Sequence, residues 1–160
     1  MGTVSHIQGD ATLRPPRTFR IALIAARFNE RVTDLLLDGA LARLRELGVP
    51  EADVTVARVP GAVEIPIVAQ RLAQSGNVDA VVGLGAVVRG ETPHFDYVCQ
   101  QVAYGCQRVS LDSDVPVIFG VLTTDDETQA LDRCGGKHGH KGREAVDTAV
   151  QIVNTLRELD

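Results

Sequence analysis

The sequence predicts an α/β fold, a three-layer α/β/α sandwich in which helices cover both faces of a four-stranded parallel sheet. Continuous apolar runs of strand length recur along the chain, and the first of them is IALIAA at 21–26. Such runs are typical of strands that are buried on both faces. Segments with apolar residues at helical spacing separate the runs, and strands that alternate with helices form a parallel sheet.

These two patterns place the elements in order. After the strand at 21–26, Asn29 is a favourable N-cap for a first helix, which ends at Gly48. The same reasoning predicts strands at 54–59, 80–88 and 115–122. It predicts helices at 65–74, 95–111 and near 127–133, and a closing helix through Leu159. This alternation indicates a doubly wound sheet of the flavodoxin-like type.

The chain is expected to form one domain, at 20–160, preceded by an N-terminal arm at 1–19. A length of 160 residues fits a single hydrophobic core. The arm contains Gly2, Gly9, Pro15 and Pro16 with only scattered apolar residues, so it cannot bury a face by itself. Two interpretations stay open, a frayed tail and a strand added to a neighbouring subunit's sheet.

Composition narrows the classes of function and partner. A formal net charge of −5, without a basic cluster, argues against a nucleic-acid-binding surface. Three cysteines without a disulfide-scaffold spacing, and no apparent leader, favour a reducing cytoplasm. The apolar runs are shorter than a membrane span needs, so no membrane association is expected.

Ligands of open parallel sheets bind beyond the carboxyl ends of the strands, which directs attention to the residues after each strand. The turn formed by Gly90, Glu91 and Thr92 precedes a predicted helix, where free backbone N–H groups can hold an anion. A guanidinium such as that of Arg133 can complete a phosphate site. Taken alone, the turn fits an ordinary helix cap better, because the Gly-Xaa-Thr pattern is weak.

Three further side chains near strand ends are candidates for the same site. His94 can pass protons at neutral pH, although a histidine at a helix start is often structural. Phe28 can stack on a planar heterocycle or pack against the neighbouring loop. Glu64, between two apolar residues, is expected to need a polar partner, either a ligand hydroxyl or a helix N-terminus.

The segment at 133–141 is rich in glycine and basic residues. Cys134, His138 and His140 match no strong zinc pattern, so no metal is assigned and a flexible basic connector is expected. Its positive charge, in an acidic chain, favours an anionic or carbonyl-rich ligand nearby.

The order of these segments resembles the lumazine synthase family over about Arg20 to Leu159. The motifs are ARFN at 26–29, VPGAVEIP at 59–66, GAVVRGETPHFDYV at 85–98, FGVLT at 119–123 and RCGGKHGHKGRE at 133–144. The resemblance implies condensation of 5-amino-6-(D-ribitylamino)uracil with 3,4-dihydroxy-2-butanone 4-phosphate, without a metal or organic cofactor. Archaeal-type riboflavin synthase and a non-catalytic flavin or lumazine cage are the alternatives.

The resemblance also assigns roles to residues. It implies a proton shuttle at His94 and a phosphate site at Gly90, Glu91, Thr92 and Arg133. The other substrate contacts that it implies are Phe28, Ala62, Val63, Glu64, Val87, Val88, Phe119, Lys141 and Glu144. Two positions depart from the usual pattern: Glu91 places a charge near the phosphate, and Ala62 replaces a frequent serine.

The family resemblance further implies a homo-oligomer with sites between adjacent subunits. Family members are pentamers or shells of twelve pentamers. The connector at 135–142 has no insertion relative to the form associated with closed shells, which favours 60 subunits over a free pentamer.

Overall fold

The computed structural model describes residues 2–10 and 12–160. Strands β1 (Ile21–Ala26), β2 (Val54–Val59), β3 (Ala80–Val88) and β4 (Val117–Thr124) form a parallel sheet in the order β2-β1-β3-β4. The flanking helices are α1 (Glu30–Glu46), α2 (Ile65–Gln74), α3 (His94–Ser113), α4 (Glu127–Leu131) and α5 (Lys141–Leu159). This architecture confirms the predicted fold class. None of the described helices is long and apolar enough to cross a lipid bilayer.

Both faces of the sheet are buried, which explains the continuous apolar runs. Alternate residues of a strand point to opposite faces. On β1, Ile21 and Leu23 pack against α1 and α5, whereas Ala22 and Ile24 pack against α2 and α3. Every residue of β1 is therefore buried, as a central parallel strand requires.

Helices α1 and α5 approach each other closely through two glycines. A Cβ atom at Gly142 would overlap the carbonyl oxygen of Leu36. A Cβ atom at Gly39 would overlap the imidazole of His140. The absence of a side chain at Gly142 lets the backbones of the two helices nearly touch, and its absence at Gly39 leaves room for the imidazole of His140.

The structure differs from the predictions in two places. Strand β4 starts at Val117, two residues later than expected. Pro116 precedes it and has no backbone N–H to donate, so it contributes only its carbonyl, which accepts from the N–H of Val81 at 2.9 Å. The expected flexible connector is instead an antiparallel ribbon of β5 (Cys134–Gly136) and β6 (Gly139–His140). The ribbon has positive φ angles at Gly135 and Gly139, one in each strand, a conformation that favours glycine.

The described part of the arm, 2–10 and 12–19, contains no strand and runs along α5. The side chain of Asn154 donates to the carbonyl of Arg14 at 2.9 Å, and that of Arg157 donates to the carbonyl of Arg17 at 2.7 Å. Addition of the arm to another subunit's sheet stays a prediction.

We expect Gly142→Ala to lower the free energy of unfolding by about 1–3 kcal/mol, as overpacking of a close contact typically does. The added methyl group has to push α1 and α5 apart. Chemical denaturation followed by circular dichroism measures the effect. Gln151→Ala, at an exposed position of the same helix, is the control. Equal stability of Gly142→Ala and the unsubstituted chain would show that the helices can separate without cost.

Candidate functional site

A cleft, called the main cleft below, lies beyond the carboxyl ends of β1, β2 and β3. Its volume is about 690 Å³, which suits a small molecule. Each of the three strand ends contributes a wall. The residues predicted from sequence that line this main cleft are Phe28, Ala62, Val63, Glu64, Val87, Val88, Gly90, Thr92 and His94.

The first wall is the turn between β1 and α1. Phe28 leaves 73% of its surface exposed, so its ring is available to a ligand rather than used in the core. Its backbone N–H donates to the carbonyl of Pro60 at 2.9 Å, which continues the pairing of β1 and β2 into the turn.

Asn29 holds this wall in place. It occupies the N-cap position of α1 as predicted, but with a left-handed φ of 64°, and its side chain does not cap the helix. The Nδ2 group instead donates to the carbonyl of Ala86 in β3 at 2.8 Å. Asparagine tolerates this backbone conformation better than most residues. The amide therefore ties the turn that carries Phe28 to the end of the neighbouring strand.

The second wall is a 3₁₀ turn formed by Ala62–Glu64. Ala62 is buried over β3, where a Cβ atom at Gly85 would lie 3.4 Å from that of Ala62. Glu64 is exposed at the N-cap of α2 and makes no side-chain cap hydrogen bond. Two partners were expected for its carboxylate, and the prediction that it caps a helix N-terminus was therefore wrong. A ligand hydroxyl stays a prediction, because the carboxylate lies in solvent at the mouth of the cleft.

The third wall is the Gly90–Thr92 turn and the start of α3. His94 is the first residue of α3, and its backbone N–H lies 3.4 Å from the hydroxyl of Thr92. Both side chains are exposed to the cleft, and the Glu91 side chain is exposed outside its lining.

Arg89 fixes the base of this turn. Its Nε donates to Asp125 at 2.9 Å, and its guanidinium lies over the ring of Phe95, 4.3 Å from the centroid. These contacts connect the ends of β3 and β4 to the first turn of α3. The hydrogen bond to Asp125 raises the pKa of Arg89, which keeps its charge.

A second, smaller cleft of about 250 Å³ lies at the β4 edge of the sheet, beside the start of α5. Arg133 enters it with its Nη1 donating to the carbonyl of Gln129 at 2.8 Å. The backbone N–H of Lys141 donates to the carbonyl of Arg133 at 2.8 Å, which holds these two residues together. The cleft is lined by the end of β4 at 121–124 and by Arg133, His138, Lys141 and Glu144.

The predicted site residues therefore fall into two groups within one chain. The main cleft holds Phe28, Thr92 and His94, whereas the second cleft holds Arg133 and Lys141. The two linings share no residue. Phe119 lies in neither, because on β4 it packs half-buried against the core beneath α2 and α3.

Several lining residues of the main cleft escaped sequence analysis. Tyr97, Val98 and Gln101 follow His94 on α3 at helical spacing, so all four residues share one face of the helix. Projecting this spacing forward from His94 would have identified them. The other unpredicted lining residues are Asn29, Gly61, Ala86 and Phe95.

The cysteines are poorly suited to nucleophilic chemistry. Burial raises the pKa of Cys106 to about 11 and also raises the pKa of Cys99 and of Cys134. A thiol with a raised pKa is protonated at neutral pH and is a weak nucleophile. Among the described residues, no three His, Cys, Asp or Glu side chains converge as a metal site would require.

The fold and the clefts define a doubly wound α/β protein with its ligand sites beyond the carboxyl ends of the parallel strands. Comparison with known proteins agrees: a family model for 6,7-dimethyl-8-ribityllumazine synthase matches residues 18–157. The chain is 54% identical to the 6,7-dimethyl-8-ribityllumazine synthase of Thermus thermophilus over 140 residues, covering 88% of the chain and 89% of the relative. It is 51% identical to that of Coxiella burnetii over 143 residues, covering 89% and 95%. The chain belongs to the 6,7-dimethyl-8-ribityllumazine synthase family.

Two substitutions at Asn29 separate its hydrogen bond from its backbone conformation. Asn29→Gly removes the bond to Ala86 but adopts a positive φ freely, so we expect a loss of about 1 kcal/mol in unfolding free energy. Asn29→Ala adds the strain of a left-handed residue, about a further 1–2 kcal/mol. Chemical denaturation of both variants checks the order. Equal losses would contradict the claim that the left-handed conformation matters.

Proposed function

We propose that the main cleft and the second cleft are the two halves of one active site, which a second copy of the chain completes. The chain is an enzyme of riboflavin biosynthesis, a transferase that condenses 5-amino-6-(D-ribitylamino)uracil with 3,4-dihydroxy-2-butanone 4-phosphate to 6,7-dimethyl-8-ribityllumazine. The observation that carries the proposal is the division of the site residues between two clefts that share no lining residue.

The main cleft is proposed to hold the pyrimidine. The exposed ring of Phe28 offers a stacking surface, and Val87 and Val88 form the apolar floor beside it. The ribityl chain then extends along Ala62 and Val63. There the free carboxylate of Glu64 can accept hydrogen bonds from the ribityl hydroxyl groups. The Ala62 methyl group makes no such hydrogen bond. From the second cleft, Lys141 and Glu144 approach the pyrimidine carbonyls and the edge of the site, and Phe119 approaches the ring from its own strand.

The turn of Gly90, Glu91 and Thr92 is proposed to hold the phosphate of the keto-phosphate. Backbone N–H groups before α3 and the Thr92 hydroxyl supply donors, and the helix dipole adds a favourable potential. Arg133 of the second copy supplies paired charged N–H groups. The exposed side chain of Glu91 supports a geometry in which its charge points away from the dianion.

The reaction needs alignment and proton transfer. The 5-amino nitrogen attacks the ketone carbon, and loss of water forms an imine; elimination of phosphate follows. The ribitylamino nitrogen then closes the second ring with loss of another water. His94, beside the phosphate turn, is proposed to deliver and remove the protons. Holding two reactants in register can supply on the order of 7–11 kcal/mol of the barrier.

Surface features support assembly of several copies. Tyr97, Tyr104 and Leu111 form an exposed stripe at seven-residue intervals along α3, with exposed fractions of 64%, 67% and 72%. Such a stripe is typical of a helix that packs against another helix. We therefore propose a homo-oligomer, a pentamer that assembles further into a 60-subunit shell, with the arm at 1–19 reaching a neighbour and 20–160 as its single domain. Three free thiols fit a cytoplasmic location.

Mixing two impaired variants, assayed with the keto-phosphate well below the KM of the Arg133→Ala variant, tests the shared site. Phe28→Ala damages only the main cleft and Arg133→Ala only the second cleft, so each variant alone should be strongly impaired. When the two are denatured together and refolded as mixed oligomers, about a quarter of the sites should combine two intact halves, as random pairing across a heterologous interface gives. Lumazine fluorescence together with phosphate release measures the recovered activity.

The control is a mixture of Phe28→Ala with His94→Ala. Both changes lie in the main cleft, so no pairing in this mixture contains an intact main cleft. Recovery there, or none in the first mixture, would refute a site built from two copies. Riboflavin produced from lumazine alone would refute the assigned reaction, and so would binding of both substrates without product.

His94 and Arg133 should affect different kinetic constants. His94→Ala is expected to lower kcat by about 10²–10⁴-fold without abolishing turnover, because positioning remains. Arg133→Ala should raise KM for the keto-phosphate by roughly tenfold or more, through loss of charge-assisted hydrogen bonds. Steady-state kinetics with each substrate varied in turn measures both effects. An unchanged rate and pH profile in the His94→Ala variant would contradict the proposal that His94 transfers protons.

A further inference from the structure

We propose that His140 is a positioning residue: its imidazole, seated among three glycines, sets the direction in which the ribbon and the first turn of α5 present Arg133, Lys141 and Glu144. The inference rests on the proposed function, because it assumes that the second cleft is part of the active site. His140 itself does not line that cleft.

The first support is the space that the chain leaves for the ring. At Gly39 of α1, a Cβ atom would overlap the imidazole. At Gly142 of α5, it would lie 3.1 Å from Cε1, and at Gly135 of the ribbon 3.5 Å from Cδ2. The ring therefore lies against three separate elements, and the residue that faces it in each element is a glycine. A shift of any one element changes the room available to the ring.

The second support is a hydrogen bond to the helix start. His140 is the N-cap of α5, and its Nδ1 accepts from the backbone N–H of Arg143 at 3.3 Å. The first N–H groups of a helix have no partner within the helix, so this acceptor fixes the orientation of the first turn. That turn contains Lys141 and Glu144, which line the second cleft.

The third support is the continuity of the backbone through His140. It pairs with Cys134 across the ribbon, and the next residue, Lys141, donates its N–H to the carbonyl of Arg133 at 2.8 Å. The hydrogen bond between their backbones therefore holds Arg133 and Lys141 together at the base of the ribbon, next to His140. Rotation of the ring out of its seat would change the relation between both side chains.

The ring is suited to this role in its neutral form. Burial lowers the pKa of His140, and the nearby positive charge of Arg143 lowers it further, while the backbone of Leu35 and the Glu144 carboxylate oppose the shift. A neutral imidazole with Nδ1 as acceptor carries its proton on Nε2. Protonation of Nδ1 would remove the acceptor for the Arg143 N–H.

A double-mutant cycle between His140 and Gly39 tests the proposal. Gly39→Ala should expel the ring and raise KM for the keto-phosphate by roughly tenfold, as His140→Ala should. In the double variant the methyl group added at position 39 occupies the vacated space. Adding Gly39→Ala to His140→Ala should therefore change KM by less than about twofold, a clear non-additivity. An equal effect of Gly39→Ala on both backgrounds would overturn the proposal.

A conservative variant and a neighbouring control complete the design. His140→Asn keeps an acceptor of a favoured N-cap type and should restore KM to within about threefold of the unsubstituted chain. Asp38→Ala, at an exposed position beside Gly39, should leave both constants unchanged. Simple loss of folded enzyme would lower apparent kcat without raising KM, so that pattern in His140→Ala would also overturn the proposal.

Arg133→Ala, measured in the same assay, separates the two levels of inference. If it leaves KM for the keto-phosphate unchanged, the second cleft is not part of the site and the proposed function fails. If Arg133→Ala raises KM but His140→Ala and Gly39→Ala do not, the site stands and the positioning role of His140 is wrong.

Discussion

Burial of the parallel sheet on both faces is the constraint on which the rest of the molecule depends. With helices on each side, no side chain within β1 or most of β3 reaches solvent, so groups that contact a ligand have to lie at or beyond the carboxyl ends of the strands. The turns after the strands are short and tied to one another. Asn29 to Ala86 and Arg89 to Asp125 are hydrogen bonds of this kind. The rigidity of the site thus derives from the sheet beneath it.

The same sheet explains why one chain presents two clefts. The ends of β1, β2 and β3 open into the main cleft, whereas β4 is an edge strand whose end faces the ribbon and α5. Arg133 follows α4 and donates to the carbonyl of Gln129 in it. In the proposed association, Arg133 of one copy would reach the Thr92 turn of the other.

How much could be predicted from the sequence depended on how local the determining interaction is. The strand at 21–26 and the N-cap position of Asn29 are determined by residues close in the sequence, and both were predicted. The ribbon at 134–140 was not predicted, and its His140 packs against Gly39 of a helix that is distant in the sequence. The sequence placed Thr92 after the third strand and Arg133 between the last two helices, but only the folded chain shows that they line different clefts. The surroundings of Glu64 were misjudged because only one of its two apolar neighbours is buried, while the other faces solvent as Glu64 does.

A site completed by a second copy, as proposed, would have a consequence for catalysis. In a single chain, Phe28, Thr92 and His94 are all exposed, so water competes for every contact they can make with a substrate. Electrostatic and hydrogen-bonding interactions strengthen when water is excluded and the effective dielectric constant falls. A second copy that covers the main cleft would therefore supply Arg133 and remove water in the same step. Under the proposed function, assembly would contribute to transition-state stabilisation directly, and exposed site residues in a single chain are what a site closed between copies requires.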